Sequence, residues 1–203
     1  MADHFALEYQ AAIDLSVYHC GTEKCAPGHA YGPAVRDHFL IHFVHNGYGF
    51  FQAGGRTYHL GQGQGFLICP GIITYYQADA SDPWHYSWVG FQGLKAKGYL
   101  ETAGLDEDHP VFRYDRDQQV DDYFRAMAAA SGMQRGRELQ LLGLLYQFLA
   151  CLIDSREREG TAGRGPDENI NRRGLYLGKA QEFISRNYSR RITIGEIARF
   201  VGL

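Results

Sequence analysis

The first half of the chain alternates short apolar runs with turn residues. Gly, Asn and Pro residues separate runs rich in aromatic and β-branched side chains, at 37–45, 48–53, 56–60, 66–69, 73–78 and 85–92. Runs of this length and composition, bounded by such residues, are typical of β-strands. Asn46-Gly47 lies between the first two runs and predicts a β-hairpin, because Asn-Gly favours the positive φ of a tight turn. Evenly spaced short strands predict an antiparallel barrel or jelly roll of the cupin type, ending near residue 115.

The pattern becomes helical after residue 117. Val120, Phe124 and Met127 follow helical spacing and predict a helix over 117–130. A second helix before residue 155 carries a wide apolar stripe, formed by Leu139, Leu142, Leu145, Tyr146, Leu149 and Leu152. A stripe wider than one barrel can cover predicts a second contact surface, so we expect a homodimer that pairs this helix with its copy. The alternative is full burial inside one subunit.

The C-terminal third divides into a linker and the start of a further domain. Residues 156–171 are charged and Gly-rich without an apolar face, which indicates a linker. In the final segment, 172–203, Thr193 and Glu196 have the spacing of a capping box, and Gly202 marks the helix end. With Ile197 and Ala198 on its apolar side, this helix reads as the first half of a helix-turn-helix whose DNA-reading helix would follow residue 203. The alternative is a helix pair that packs on the core.

Charge and cysteine content indicate which kinds of partner and which cellular compartment to expect. Residues 172–203 carry a net charge of +5 in a chain whose net charge is −3, which suits a DNA-facing segment on an acidic body. The sequence shows neither a secretory leader nor an apolar run of about 18 residues, so we expect a cytoplasmic protein without a membrane segment. The four cysteines are scattered, as in reduced proteins. We expect no metal and no cofactor.

Several segments in order resemble the AraC/XylS family of transcription regulators. They are Asn46–Gly49 (NGYG), Tyr58–Gly71 (YHLGQGQGFLICPG), Tyr75–Asp79 (YYQAD), Asp82–Gly93 (DPWHYSWVGFQG) and Ile192–Leu203 (ITIGEIARFVGL). The resemblance is closest to sugar-responsive members. It implies a cupin-like sensor and dimerisation domain over residues 1–155, a linker, and a DNA-binding domain that begins at residue 172. The expected function is a ligand-responsive regulator, an activator of carbohydrate uptake or catabolism genes.

Residue chemistry points to an effector site near the tryptophans. A sugar pocket needs a flat aromatic face for the C–H surface of the ring and polar groups for its hydroxyls. Trp84, Tyr86 and Trp88 have equal parity on one strand, so they can share a face. The family resemblance implies that Trp88 stacks on a mono- or oligosaccharide, with Tyr86 as a polar neighbour and Tyr76 as a hydroxyl contact. It also puts Asn46 where the arabinose-binding member has a basic pocket residue. His42 completes the candidate set, and packing of Trp84 and Trp88 in the core is the alternative.

Two other function classes remain open. A metal-dependent cupin enzyme or metal-binding cupin would need a His and Glu set, but His42 and His45 fall on opposite strand faces. The position expected for a further His reads Thr74 or Tyr75, and no catalytic triad is evident. The second alternative is a regulator without a small effector, with a barrel filled by Phe43, Phe50, Phe66 and Trp88. In the regulator reading, effector binding orders an N-terminal arm around residues 4–12 or shifts the dimer helices.

Overall fold

A computed structural model describes residues 3–6, 14–158, 176, 179–180, 183–184, 187 and 190–202. Its strands are β1 (Asp3–Ala6), β2 (Ser16–Lys24), β3 (Ala30–Val35), β4 (Phe39–Asn46), β5 (Gly49–Ala53), β6 (Arg56–Leu60), β7 (Gln64–Ile68), β8 (Ile73–Ala78), β9 (His85–Gln92) and β10 (Val111–Arg113). Its helices are α1 (Ala96–Thr102), α2 (Gln119–Ser131), α3 (Arg137–Arg158) and, near the C-terminus, α4 (Ile194–Val201).

The strands form two antiparallel sheets. The six-stranded sheet has the order β1-β2-β9-β4-β7-β10, and the four-stranded sheet has the order β3-β8-β5-β6. Neighbours in these orders are distant in sequence, because the chain repeatedly crosses from one sheet to the other, as in a jelly roll. This architecture confirms the predicted cupin-like, mainly β fold with added helices.

The central strands β4, β7 and β9 of the six-stranded sheet are buried on both faces, which explains their long apolar runs. On β4, Leu40, His42 and Val44 point into the space between the two sheets. The intervening residues Ile41 and Phe43 point to the opposite face, where α2 and α3 pack. One sheet therefore serves two cores, and its inner face belongs to the barrel interior.

Helices α2 and α3 cover the outer face of this sheet. Val120, Phe124 and Met127 of α2 are buried in the outer core, together with Leu141, Leu145 and Phe148 of α3. The segment Arg137–Arg156 is long and apolar enough to cross a membrane by length and mean hydropathy alone. Its apolar side packs on the sheet, so α3 is a core helix of this domain.

The predicted Asn46-Gly47 hairpin is wrong. β4 pairs with β7 and β9, whereas β5 pairs with β6 and β8, so the two strands belong to different sheets. Gly47 has φ 80° and lies where the chain passes from one sheet to the other. A Cβ at this position would lie 2.3 Å from the Pro83 carbonyl oxygen. The tight hairpin is instead β5–β6, where Gly54 and Gly55 both have positive φ as a type I′ turn requires.

The chain divides into two compact units, at residues 1–161 and 162–203. α3 continues to Arg158, three residues into the predicted linker, and residues 159–171 of that linker lie outside the described part. In the second unit, Thr193 caps α4 through a capping box with Glu196, and Gly202 ends the helix with φ 92°. Ile197 and Ala198 are half-buried in this unit.

Candidate effector-binding site

A cluster of rings surrounds His42 in the barrel interior. The His42 imidazole stacks on Phe66 with 4.5 Å between ring centroids and 10° between the planes. Tyr76 and Tyr86 lie 5.0 and 5.1 Å from it, and Trp88 lies 6.3 Å away. These side chains come from β4, β7, β8 and β9, so both sheets contribute to the cluster. We call these five residues the ring cluster.

His42 is a polar group in apolar surroundings. Its residue is 2% exposed, and Nδ1 finds no hydrogen-bond partner within the part of the chain that the structure describes. Burial lowers the pKa of His42 well below 6.5, and the nearby His19 and Arg36 lower it further. The imidazole is therefore neutral at physiological pH. A buried polar atom without a partner is costly, and a ligand hydroxyl that pairs with it would remove that cost.

The two tyrosines of the ring cluster supply neutral hydroxyls. Burial raises the pKa of Tyr76 to about 12. Burial, followed by the nearby Tyr76, also raises the pKa of Tyr86. The Tyr86 hydroxyl donates a hydrogen bond to Oε2 of Glu23 at 3.4 Å. Neutral hydroxyls can both donate and accept, which suits the hydroxyl groups of a sugar.

A hydrogen-bonded relay links Trp88 to the surface. Its indole Nε1 donates to Nδ1 of His19 at 3.0 Å, and Nε2 of His19 lies 3.0 Å from Nε2 of His38. Nδ1 of His38 lies 2.7 Å from Oδ1 of Asp37, which is exposed. An indole N–H can only donate, so with neutral imidazoles each proton points from Trp88 toward Asp37. The bond from His38 lowers the pKa of the Asp37 carboxyl.

Trp84 and Asn46, the other two candidates for effector binding, lie outside the ring cluster. Trp84 precedes β9, is 1% exposed, and donates from Nε1 to the Leu60 carbonyl at 3.1 Å. Its ring also lies close to Gly49, where a Cβ would come within 2.6 Å of it. The indole N–H of Trp84 is therefore already hydrogen-bonded within the domain. Asn46 is exposed at the end of β4, across from His85, and is not part of the ring cluster.

Arg36 is a basic residue near the ring cluster that the sequence did not single out. Its guanidinium lies 4.5 Å from the centroid of Tyr31, and Tyr31 stacks on Tyr76 at 5.7 Å. The Arg36 charge also lowers the pKa of Tyr76, against the larger effect of burial. A basic group therefore lies at the edge of the cluster, although it comes from the β3–β4 connection instead of position 46.

Two of the four residues expected to fill an effector-free barrel lie in its interior. Phe43 lies on the opposite face of the sheet, 6.0 Å from Phe124 of α2. Phe50 is half-buried beside His59 and Tyr75. Of the four residues that this alternative needs inside the barrel, Phe66 and Trp88 are there, and both belong to the ring cluster.

The structure also assembles a Ser-His-Asp arrangement that the sequence concealed. His45 bridges Oδ1 of Asp121 on α2, 2.5 Å from its Nδ1, and Oγ of Ser87 on β9, 2.7 Å from its Nε2. A hydrolytic triad needs an accessible nucleophile beside oxyanion donors. Ser87 is 5% exposed on a regular strand paired on both sides. The two hydrogen bonds of His45 therefore connect α2 to the six-stranded sheet.

The predicted dimerisation stripe is divided by the fold. Leu145, Leu149 and Leu152 are buried in the outer core. Leu142 is half-buried, and Leu139 and Tyr146 are exposed, Leu139 by 76%. One side of α3 therefore packs in its own subunit, and Leu139 is exposed on the other side. Leu142 packs partly against the outer core, and Tyr146, although exposed, lies 6.1 Å from Tyr99 of α1.

Comparison with known proteins settles the family. Residues 16–149 match the family model of the AraC-like ligand binding domain. The chain belongs to this AraC-like family. It is 32% identical over 196 residues to the Msm operon regulatory protein of Streptococcus mutans, covering 94% of this chain and 67% of that protein. It is 26% identical over 193 residues to the lactose operon transcription activator of Staphylococcus xylosus, with the same 94% and 67% coverage.

The AraC-like transcriptional activator CuxR matches with a TM-score of 0.49 at 17% identity, covering 94% of this chain and 67% of that one. The AraC-like chain thus spans about two thirds of the length of the relatives it matches.

Proposed function

We propose that this AraC-like protein is the sensing and dimerisation part of a sugar-responsive transcription regulator. The relative named as a lactose operon transcription activator supports a carbohydrate effector and an activating role. The observation that carries the proposal is the buried, unpartnered Nδ1 of His42 among aromatic rings. Aromatic faces and a few convergent polar atoms are the combination that binds sugars.

Each member of the site has a distinct role in this proposal. Trp88 supplies the face for the C–H surface of a mono- or oligosaccharide. His42, Tyr76 and Tyr86 pair with its hydroxyls through neutral polar atoms. Arg36 binds a hydroxyl at the edge of the cluster, in the place that the resemblance gave to position 46. Trp84 packs the core, since its indole N–H is already bonded to the Leu60 carbonyl.

The two tryptophans allow a direct test, because the chain contains only Trp84 and Trp88. The variant Trp84→Phe leaves Trp88 as the sole fluorophore, and Trp88→Phe leaves Trp84. A panel of mono- and oligosaccharides is titrated into both variants and the wild type. We expect one sugar class to shift or quench the emission of Trp88 saturably, with a much smaller effect on Trp84.

Thermal unfolding provides the matching control. A selective sugar at about a hundred times its dissociation constant should stabilise the wild type by roughly 2.7 kcal/mol. Trp88→Ala should abolish this gain, whereas the charge-neutral surface change Gln52→Ala should keep it. An emission response confined to Trp84, or a sugar gain that survives Trp88→Ala, would contradict the proposed site.

The exposed side of α3 is the proposed homodimer contact. Leu139 and Tyr146 are large apolar residues left in contact with solvent on a helix whose other side is already buried. Sedimentation velocity tests this assignment with Leu139→Lys and Tyr146→Lys. Ile73→Lys is the matched control, since Ile73 is 66% exposed on the four-stranded sheet. We expect the first two variants to dissociate the dimer and the control to keep it.

The same proposal extends to how the whole regulator binds DNA and responds to its effector. Residues 172–203, which include the helix capped by Thr193, form the start of the DNA-binding domain of the whole regulator, which works in the cytoplasm on two half-sites. Effector binding changes how the two DNA-binding domains are held, through the dimer helices or an N-terminal arm whose residues 7–12 lie outside the described part. Such coupling is reciprocal. Effector affinity in a full-length protein should therefore differ with and without operator DNA, and equal affinities would refute the coupling.

A further inference from the structure

Three potential metal ligands converge where the chain leaves β2. They are the carboxylate of Glu23, the thiol of Cys25 and the imidazole of His29, and their ligand atoms all lie within 4.8 Å of one another. Nε2 of His29 is 3.8 Å from Oε2 of Glu23. Cys25 is buried and the other two are half-buried, so the group is close to solvent on one side and to the barrel interior on the other.

Backbone hydrogen bonds hold this turn in place. The Cys25 N–H donates to the Trp84 carbonyl at 2.8 Å, and the His29 N–H donates to the Ala26 carbonyl at 2.9 Å. The Ala78 N–H of β8 donates to the His29 carbonyl at 2.9 Å. The Cys25 end of the ligand-bearing segment is thus bonded to the residue that precedes β9, and the His29 end is bonded to β8. This lowers the entropic cost of ordering the three ligands around an ion.

The electrostatics of the group also favour a cation. A divalent ion bound among the three side chains would lie beside the Glu23 carboxylate and take the place of the Cys25 thiol proton, so it would compensate both the carboxylate and the thiolate.

We propose that Glu23, Cys25 and His29 bind a divalent transition-metal ion. A thiolate, an imidazole and a carboxylate are the ligands that zinc prefers, and three protein ligands leave a fourth tetrahedral position for water. These residues lie outside the positions where a cupin enzyme would place its metal, so the site does not restore that alternative. Tyr86 links it to the ring cluster, because its hydroxyl donates to Glu23.

Cobalt is the spectroscopic probe for this proposal. The 203-residue chain, treated with chelator and desalted, is titrated with Co²⁺ in the absence of sugar. We expect uptake of one ion with a thiolate-to-cobalt charge-transfer band, and loss of the band when Zn²⁺ is added. Cys25→Ser should lose the band. Cys69→Ser, which removes a half-buried cysteine outside this group, should keep it.

A second variant guards against misfolding of Cys25→Ser. His29 is half-buried in a turn, so His29→Gln should fold like the wild type by circular dichroism. Loss of this ligand should weaken Co²⁺ binding by more than the roughly 10–100-fold that loss of an outer hydrogen-bond partner of a ligand costs. A band that persists in Cys25→Ser, unchanged affinity in His29→Gln, or no band at saturating cobalt would overturn the proposal. None of these results depends on sugar binding.

Discussion

Replacing His42 by Leu should stabilise the protein while removing its effector response. Leu is close to His in volume and has no polar atom to leave unpaired. An unsatisfied buried polar group costs about 1–3 kcal/mol. The stack on Phe66 that the variant loses is worth about 0.5–1.5 kcal/mol. The difference predicts a gain of about 1 kcal/mol near neutral pH, which raises the melting temperature by roughly 2–4 °C for a domain of this size.

The gain should grow as the pH falls. In the folded protein, burial keeps His42 neutral by lowering its pKa well below 6.5, whereas the unfolded chain binds a proton near that value. The unfolded state then holds more protons, so wild-type stability falls as the pH drops below 6.5. This penalty grows between about pH 7 and pH 5, up to a ceiling of about 2 kcal/mol that is set by protonation of the imidazole in the unfolded chain. His42→Leu lacks it.

Urea unfolding at both pH values measures this difference directly. The matched control is Phe66→Leu, which removes the stacking partner but keeps the imidazole, and so should be destabilised without losing the wild-type pH dependence. A His42→Leu variant that is less stable than the wild type at both pH values would refute the interpretation of Nδ1 as an unpaired group. A stability difference between variant and wild type that stays constant from about pH 7 to pH 5 would refute the pKa reasoning.

Further substitutions test the scaffold, each by thermal or chemical unfolding. Gly49→Ala should cost about 1–3 kcal/mol, because its Cβ would lie 2.4 Å from a backbone oxygen of β8. Gly143→Ala, with open space around it in α3, should instead gain about 0.5–1 kcal/mol. Asp121→Ala should cost about 1–3 kcal/mol by leaving His45 without its carboxylate partner. Thr193→Ala should cost α4 about 1 kcal/mol, seen as faster amide exchange in that helix.

The sequence correctly predicted those features that depend only on residues close to one another along the chain. Strand parity placed Trp84, Tyr86 and Trp88 on one face, and all three lie in the inner core. The capping box of Thr193 and Glu196 depends on four consecutive residues, and it is present. Both follow from rules that operate within a single strand or turn.

The hairpin prediction was wrong because local sequence does not determine which strands pair. Asn46-Gly47 has the local chemistry of a hairpin, but the positive φ of Gly47 is used to cross between sheets. The wide stripe of α3 was predicted to serve a second surface besides the barrel; the sheet buries Leu145, Leu149 and Leu152, whereas Leu139 and Tyr146 are exposed, and their pairing with a second copy stays a prediction. Sequence periodicity shows that a face is apolar without showing how much of it one partner can cover.

The sequence by itself determined the family, the mainly β fold and most of the residues in the ring cluster, because these depend on motifs and on the alternation of side chains along a strand. Only the tertiary structure decided which polar groups meet. Arg36 reaches the cluster from another connection, and His45 joins two elements far apart in the chain. Glu23, Cys25 and His29 converge because the sheets fix the turn between them. Contacts across sheets arise from the packing of the whole domain, and local spacing does not encode them.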